Sequence, residues 1–437
     1  MRHNLLLGVA VAALAIPAAA SAQETSSTIQ GKVTNNGAPV VGATVTAIHV
    51  PSGTRASAVT AADGAFSLPG LRTGGPYTIT VDQGGSQVTD IYTVAGQTFN
   101  LPIETAAENG KDIIVTASRV KGARGVGYGP VTILNANDIS NVASVNRDIR
   151  DLIRRDPFAT LDTSQSTGRQ ITFAGTNPRF NRFTVDGVPI GDSFGLNPDA
   201  LPSRRGPVPI DAIGEFQTKV APYDIREGFF QGGVVNAILK SGTNQFHGSA
   251  IFTETTDGLT GSQLKPYVSN PTGIVTQPKF TSKDYGATLS GPIIKDRLFF
   301  MVSAERVRAN NPFNIAASSI TQDQFDQIVS IAKTKYNVDA GGKITSQDDK
   351  DDRIVGRIDA NVTDGQRLSL TGIYTKDSIN TLGFNSATAQ STTSNDYVKP
   401  NRLWAVVGQL NSTWSPTIST ETRVLYKDYK SGQNPIL

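Results

Sequence analysis

Four aspartates fall within five residues, Asp348, Asp349, Asp351 and Asp352. Clustered carboxylate oxygens are what a calcium ion takes, but a charge run between strands is by default a solvated loop, so the spacing leaves both readings open. The three histidines, His3, His49 and His247, are scattered, and so supply neither a zinc set nor a histidine-dependent triad; each reads as a surface or packed residue. There is no cysteine, which excludes disulfides, iron–sulfur clusters, thiolate metal sites and a cysteine nucleophile. The glycines Gly125 and Gly127 lack a following helix at dinucleotide spacing, and no Gly-x-Ser-x-Gly elbow is present. No catalytic residue, metal or cofactor is therefore assigned, and the chain does not read as an enzyme. A net charge of +3 gives no reason to expect a nucleic-acid partner.

The elements that would position any site begin with an export signal. Arg2 precedes an apolar stretch over 5–20, broken by Pro17, and Ala20-Ser21-Ala22 fits a small-x-small cleavage pattern. Cleavage is expected between Ala22 and Gln23, making 1–22 a signal peptide. No later run approaches the ~20 apolar residues of a transmembrane helix. An exported chain of this kind is periplasmic, secreted, or a closed barrel in an outer membrane.

Residues 23–105 read as a β-sandwich, with short strands expected at 28–33, 43–49, 56–60, 66–68, 77–82 and 98–103. Turn residues such as Asn35-Asn36-Gly37 and Asp63-Gly64 separate them.

The last part of the chain, 247–437, alternates with a period of two. Ile354, Gly356, Ile358, Ala360 and Val362 form one face, and Arg353, Val355, Arg357, Asp359, Asn361 and Thr363 the other. A second strand runs from Trp404 to Trp414, roughly 25 Å at a ~40° tilt, the height of an apolar band with aromatic rims. Seven strands are expected here, joined alternately by short turns and long connections, with a helix at 322–336 and a long loop over 376–401. A plugged transporter barrel has ~22 strands, so the sequence is expected to hold only the first strands of an incomplete barrel.

Several blocks carry a family resemblance. Gly31-Lys32-Val33, Gly42-Ala43-Thr44-Val45 and Asp63-Gly64-Ala65-Phe66-Ser67-Leu68 resemble the carboxypeptidase regulatory-like domain, a likeness that implies no peptidase activity. After a small polar linker, within 106–118, the run Asp112, Ile113, Ile114, Val115, Thr116, Ala117 resembles a TonB box. Such a peptide must be able to add a strand to a partner's sheet edge; the plainer alternative is the first strand of the next domain. Residues 119–246 resemble a plug domain, through a helical turn at 148–155, Thr172-Phe173-Ala174-Gly175, Arg182 to Ile190, Ile213 to Val220 and Gly232 to Gly248. Gly232 and Gly233 are expected to supply positive φ and close backbone approach. Together the blocks resemble the Oar-like subgroup of TonB-dependent outer-membrane receptors, although Val220-Ala221-Pro222-Tyr223 departs from the Gly-Pro of the common plug pattern.

The resemblance implies a mostly β fold: an N-terminal β-sandwich, a small α+β plug and the first strands of an outer-membrane antiparallel barrel. It further implies a receptor in the outer membrane of a Gram-negative bacterium, surrounded by lipid. Such a receptor binds an extracellular ligand of unknown class and moves it with energy delivered by TonB; export or adhesion is the alternative. Ligand contacts are expected from outward plug loops, at Asn177, Arg179, Asp192 and Phe194.

Overall fold

A computed structural model of the chain describes residues 26–436, apart from 84–85, 106–112, 117–123, 127–129, 163–168, 194, 196, 198, 221–231, 264, 267–270, 275–277, 313–320, 344–345, 385–390 and 416–417. The signal peptide, its cleavage point at Ala22 and Gln23, and Asp112, Ala117 and Phe194 lie outside these residues.

The first unit is two facing sheets. Its strands are β1 (Ser27–Asn35), β2 (Ala38–Pro39), β3 (Thr44–His49), β4 (Thr54–Val59), β5 (Ala65–Leu71), β6 (Gly74–Val81), β7 (Ser86–Thr93), β8 (Thr98–Asn100) and β9 (Ile103–Thr105). β1 gathers β2, β5, β8 and β9 around it, while the second sheet runs β7-β6-β3-β4. Alternate residues face inward, and Ile29, Val45, Ala47, Leu68, Tyr77 and Ile79 fill the core. β7 has no counterpart among the expected strands. Asp90, at φ 59°, interrupts the pleat, so Ser86 and Val88 bury in one phase and Ile91 and Thr93 in the other. That one-residue slip hides the alternation. Two short strands beyond it, β10 (Ile113–Thr116) and β11 (Arg124–Val126), return to the same unit and pair with β7 and β8.

The plug holds β12 (Val131–Asn135), α1 (Ala136–Ser140), α2 (Arg150–Ile153), β13 (Ala159–Leu161), β14 (Ile171–Phe173), β15 (Arg182–Val185), β16 (Val188–Pro189), β17 (Ile213–Lys219) and β18 (Val234–Leu239). Five strands form one sheet in the order β12-β17-β18-β15-β16. The hairpin from β15 to β16 turns on Asp186 and Gly187, both at positive φ (45° and 71°), the pairing that suits a type I′ turn. Gly232 and Gly233, by contrast, do not have positive φ. Gly233 is there for space: a Cβ would lie 2.2 Å from the Phe173 ring, so only close approach, and not backbone freedom, requires the glycine.

Seven long strands follow: β19 (His247–Thr256), β20 (Thr281–Ile294), β21 (Leu298–Pro312), then, after the helix α3 (Gln322–Tyr336), β22 (Ser346–Thr363), β23 (Gln366–Thr381), β24 (Tyr397–Ser415) and β25 (Ile418–Ser431), with a short β26 (Asn434–Pro435). Each of the seven is antiparallel to the next. α3 occupies the expected range, set by a capping box between Thr321 and Gln324 and a left-handed Asn337 at its end. The strands reach further than expected into the long connections: β22 begins at Ser346 rather than near Arg353, and β24 at Tyr397.

The period-two reading holds on both expected strands. Ile354 and Val362 are 46% and 63% exposed, whereas Arg353, Val355 and Asp359 are buried. Trp404 and Trp414 lie on the outer face at 41% and 64%. Inward-facing Met301, Val355, Ile373, Leu403, Ala405 and Val407 join the plug's Phe183, Val185, Phe216 and Leu239 in one core. An apolar outer face and an inner face packed on a plug are the outer-membrane barrel arrangement. No helix among the described residues is long and apolar enough to cross a membrane.

Candidate functional site

A strand's period of two divides the aspartate cluster. Asp348 to Asp352 belong to β22 and not to a loop, so Asp349 and Asp351 point inward while Asp348 and Asp352 point outward. Four carboxylates on opposite faces cannot converge on one cation; Asn310 donates to Asp348 at 2.7 Å, and arginines engage the other three. Outside, Asp352 pairs with Arg306 and Arg308, each at 2.8 Å. Inside, Asp349 accepts a two-pronged contact from Arg205 of the plug, at 3.0 and 2.8 Å, and Asp351 lies 2.9 Å from Arg353.

The same arrangement recurs down the wall. Glu305 of β21 is shared by Arg353 and the plug's Arg147, the latter at 3.1 Å. Lower still, Arg357 of β22 bridges Asp359 on its own strand, at 2.9 and 3.0 Å, and the plug's turn residue Asp186, at 2.9 Å. The acids and Arg353 are buried and Arg147 and Arg357 nearly so, where charge-assisted bonds are strong and an orphaned partner is costly. The plug is thereby clamped to the wall at three levels.

Above the clamps, towards the long connections, lies a cavity of about 320 Å³, lined by Arg150, Arg169, Arg204, Arg205 and Lys399 alongside Asp148, Asp199 and Asp349. Arg150 sits between Asp199, at 2.7 Å, and Asp148, at 3.1 Å. Burial opposes its charge, but the two carboxylates more than reverse that and hold it above its ordinary range. A polar, partly enclosed chamber of this kind can orient a polar ligand through fixed guanidinium and carboxylate groups.

None of the expected ligand-contact residues Asn177, Arg179 and Asp192 lines this chamber; Asp192 reaches it only through the lining residue Asn197. The Asn177 side chain accepts the Arg179 backbone N–H at 3.0 Å, and the Arg179 guanidinium donates to the Gly195 carbonyl at 3.0 Å rather than to a wall carboxylate. Asp192 accepts the Asn197 N–H at 2.7 Å, so the loops carrying Asn177, Arg179 and Asp192 are tied together. Asn197 in turn meets Tyr429 near the outer end of β25, at 2.8 Å. The chamber's own charges, Arg150, Arg204 and Arg205, were not foreseen; the Arg204-Arg205 pair in an otherwise apolar, proline-rich stretch was the available signal.

The expected box is a strand, but not the first strand of the next domain. Ile113, Ile114, Val115 and Thr116 pair in parallel with Ser86, Gln87, Val88 and Thr89, at the edge of the sandwich's second sheet. The sandwich itself is docked on the plug and the wall. The Ala95 N–H donates to Glu215 at 3.2 Å and the Ala95 carbonyl accepts from Gln217 at 2.9 Å. Arg72 donates to Ser241 at 2.9 Å, and Asn361 of the wall to Thr54 at 3.1 Å. The histidines are accounted for: His49 is buried against Tyr77 and Ser52, burial and Arg72 push its pKa down to about 3, and His247 is exposed at the start of β19.

Comparison with known proteins matches the first and last of these parts. Residues 28–105 match the carboxypeptidase regulatory-like domain, and 238–340 an outer membrane beta barrel domain. The TonB-dependent transporter Oar of Myxococcus xanthus is 32% identical over 139 residues, covering 31% of this chain and 12% of the relative. The probable TonB-dependent siderophore receptor PirA of Acinetobacter baumannii is 32% identical over 218 residues, covering 47% of this chain and 26% of the relative. The chain thus spans no more than about a quarter of the length of either. Among solved structures, the outer membrane transporter YddB of Escherichia coli shares the fold, with a TM-score of 0.50 at 16% identity over 68% of this chain and 38% of that one.

Proposed function

We propose that this relative of the TonB-dependent outer-membrane receptors binds a ligand on the outer side of its plug and passes it inward on energy delivered by TonB. Its place is the Gram-negative outer membrane, where the apolar outer faces of β19–β25 meet lipid. The observation that carries the reading is a plug sheet clamped across the inner face of the strand wall by Arg205–Asp349, Arg147–Glu305 and Arg357–Asp186. A stopper fastened by ion pairs blocks passive flow and moves only when work is done on it. The charged chamber, whose floor includes the Arg205–Asp349 clamp, is the ligand side, and Asn177, Arg179, Asp192 and Phe194 remain the proposed plug contacts. The run Asp112 to Ala117 is the handle. Its ability to serve as one is supported by the extended, edge-paired conformation of Ile113–Thr116.

Ile114→Pro and Val115→Pro test the handle. Proline removes a backbone donor and disrupts strand addition, so both variants insert normally in the outer membrane and fail to take up ligand. Normal uptake by either variant overturns the assignment.

A further inference from the structure

A second, larger cavity of about 540 Å³ lies where the sandwich, the plug and the wall meet, near the short turns and on the opposite side of the plug from the ligand chamber. Besides Arg357, which is held by Asp359 and Asp186, one cation reaches it from each of the three parts: Arg72 from the sandwich, Lys240 from the plug and Arg367 from β23. Arg72 and Arg367 also line an adjoining cavity of about 340 Å³, so both stand at the passage between the two.

None of the three has a carboxylate within ion-pair distance among the described residues; Asp359 acts on Arg72 and Arg367, and Asp211 on Lys240, only from further off. Arg72 is buried and spends its side chain on neutral groups: Ser241 at 2.9 Å, Asn361 at 3.5 Å and the face of Phe299 at 5.4 Å. Its Nε is buried with no hydrogen-bond partner. The neighbouring acids are already engaged. Asp359 is gripped by both prongs of Arg357, Asp186 by Arg357, and Glu421, on the smaller cavity, by Arg423 and Gln409. Glu215, the remaining carboxyl of the larger cavity, accepts from Ala95 and Gln217. A guanidinium does not shed its proton to relieve burial, so its charge must be met by another.

The geometry points to an oxyanion site: a small free sulfate or phosphate, held by Arg72, Arg367 and Lys240, that bridges the sandwich, the plug and the wall. Oxygens on a compact anion match the fork of a guanidinium, and the unused Arg72 Nε supplies a donor with nothing else to do. The ion would act as a removable rivet, strengthening the seal of the sandwich against the plug and wall when bound.

The test is equilibrium dialysis of labelled inorganic sulfate against the complete protein in detergent, at constant ionic strength held with chloride. Thermal unfolding is followed in the same buffers. Saturable binding and a rise in unfolding temperature that saturates with it are expected, with phosphate competing. Arg367→Gln should weaken binding about tenfold or more while leaving the unfolding temperature in chloride alone little changed. Arg367→Lys keeps the charge and retains part of the binding. Non-saturable uptake of sulfate by the unaltered protein overturns the proposal whether or not a variant folds, as does undiminished affinity in Arg367→Gln.

Discussion

Glu215→Gln tests how the sandwich is seated on the plug. Glu215 lies in β17, buried beneath the sandwich turn at Ala95, and burial lifts its carboxyl from 4.5 to about 7 despite hydrogen bonds from Gln217 and the Ala95 N–H. A carboxyl raised by that much holds its proton more tightly in the assembled protein than in the unfolded chain. The assembled state therefore binds more protons between pH 4.5 and 7, and its stability falls as pH rises through that window. The full contribution is present below 4.5 and gone above 7, a loss of about 3 kcal/mol at 1.36 kcal/mol per pH unit. Glutamine keeps an oxygen to accept the Ala95 N–H and carries no charge to desolvate. The variant should lose most of the slope and be more stable than the parent at pH 8, by up to about 3 kcal/mol, and equal to it or slightly weaker at pH 4.5. The assay is unfolding in detergent across pH 4–8, read by circular dichroism. A parent protein whose stability rises from pH 5 to 7, or a variant retaining the parental slope, would refute the argument from burial.

Removing Arg205 by Arg205→Ala leaves Asp349 buried without its main partner and should destabilise the plug against the wall by about 3–5 kcal/mol, while the double variant with Asp349→Ala costs less than the two single changes added, as denaturant unfolding of all four proteins would show. Gly233→Ala drives a methyl into the Phe173 ring and should cost about 1–3 kcal/mol, with Phe173→Leu beside it restoring part of the loss in the same measurement. The chain's two tryptophans, Trp404 and Trp414, both lie on the outer face of β24. Lipids brominated along the acyl chain should therefore quench most of the intrinsic tryptophan fluorescence in reconstituted protein, and emission unaffected by bromination would contradict the outward orientation of that strand.

The parts of the fold that could be read in the sequence are those with a clean period. The apolar face of β22 and the two tryptophans of β24 announced themselves because lipid and lumen impose opposite demands on alternate residues. α3 was legible as a helix-like stretch over 322–336. β7 was not, because Asp90 shifts the pleat and splits its buried residues between two phases. The clamps were harder still. Arg353 and Arg357 could be assigned to a polar face, but Arg353 meets Glu305 48 positions away, Arg357 meets Asp186 171 away, and Glu305 meets Arg147 158 away, and no local pattern links them. The aspartate cluster shows the opposite case. The run was expected in a solvated loop, with a cation site left open, and the extended backbone instead divides its members between the inner and outer faces of β22. The docking of the sandwich had no sequence signal, since it rests on a turn carbonyl, a turn N–H and side chains such as Glu215 and Gln217 that look like ordinary strand residues.

The parallel pairing of β10 on β7 has a kinetic meaning. A strand of four residues has no protected middle, since every bond is within two residues of a fraying end. A competing strand that reaches the β7 edge can replace it one bond at a time, each rupture matched by a new contact, much as one nucleic-acid strand displaces another from a shared template. Such an exchange proceeds with little net change in bonding. Its direction is then governed by the supply of the competitor and by tension along the chain.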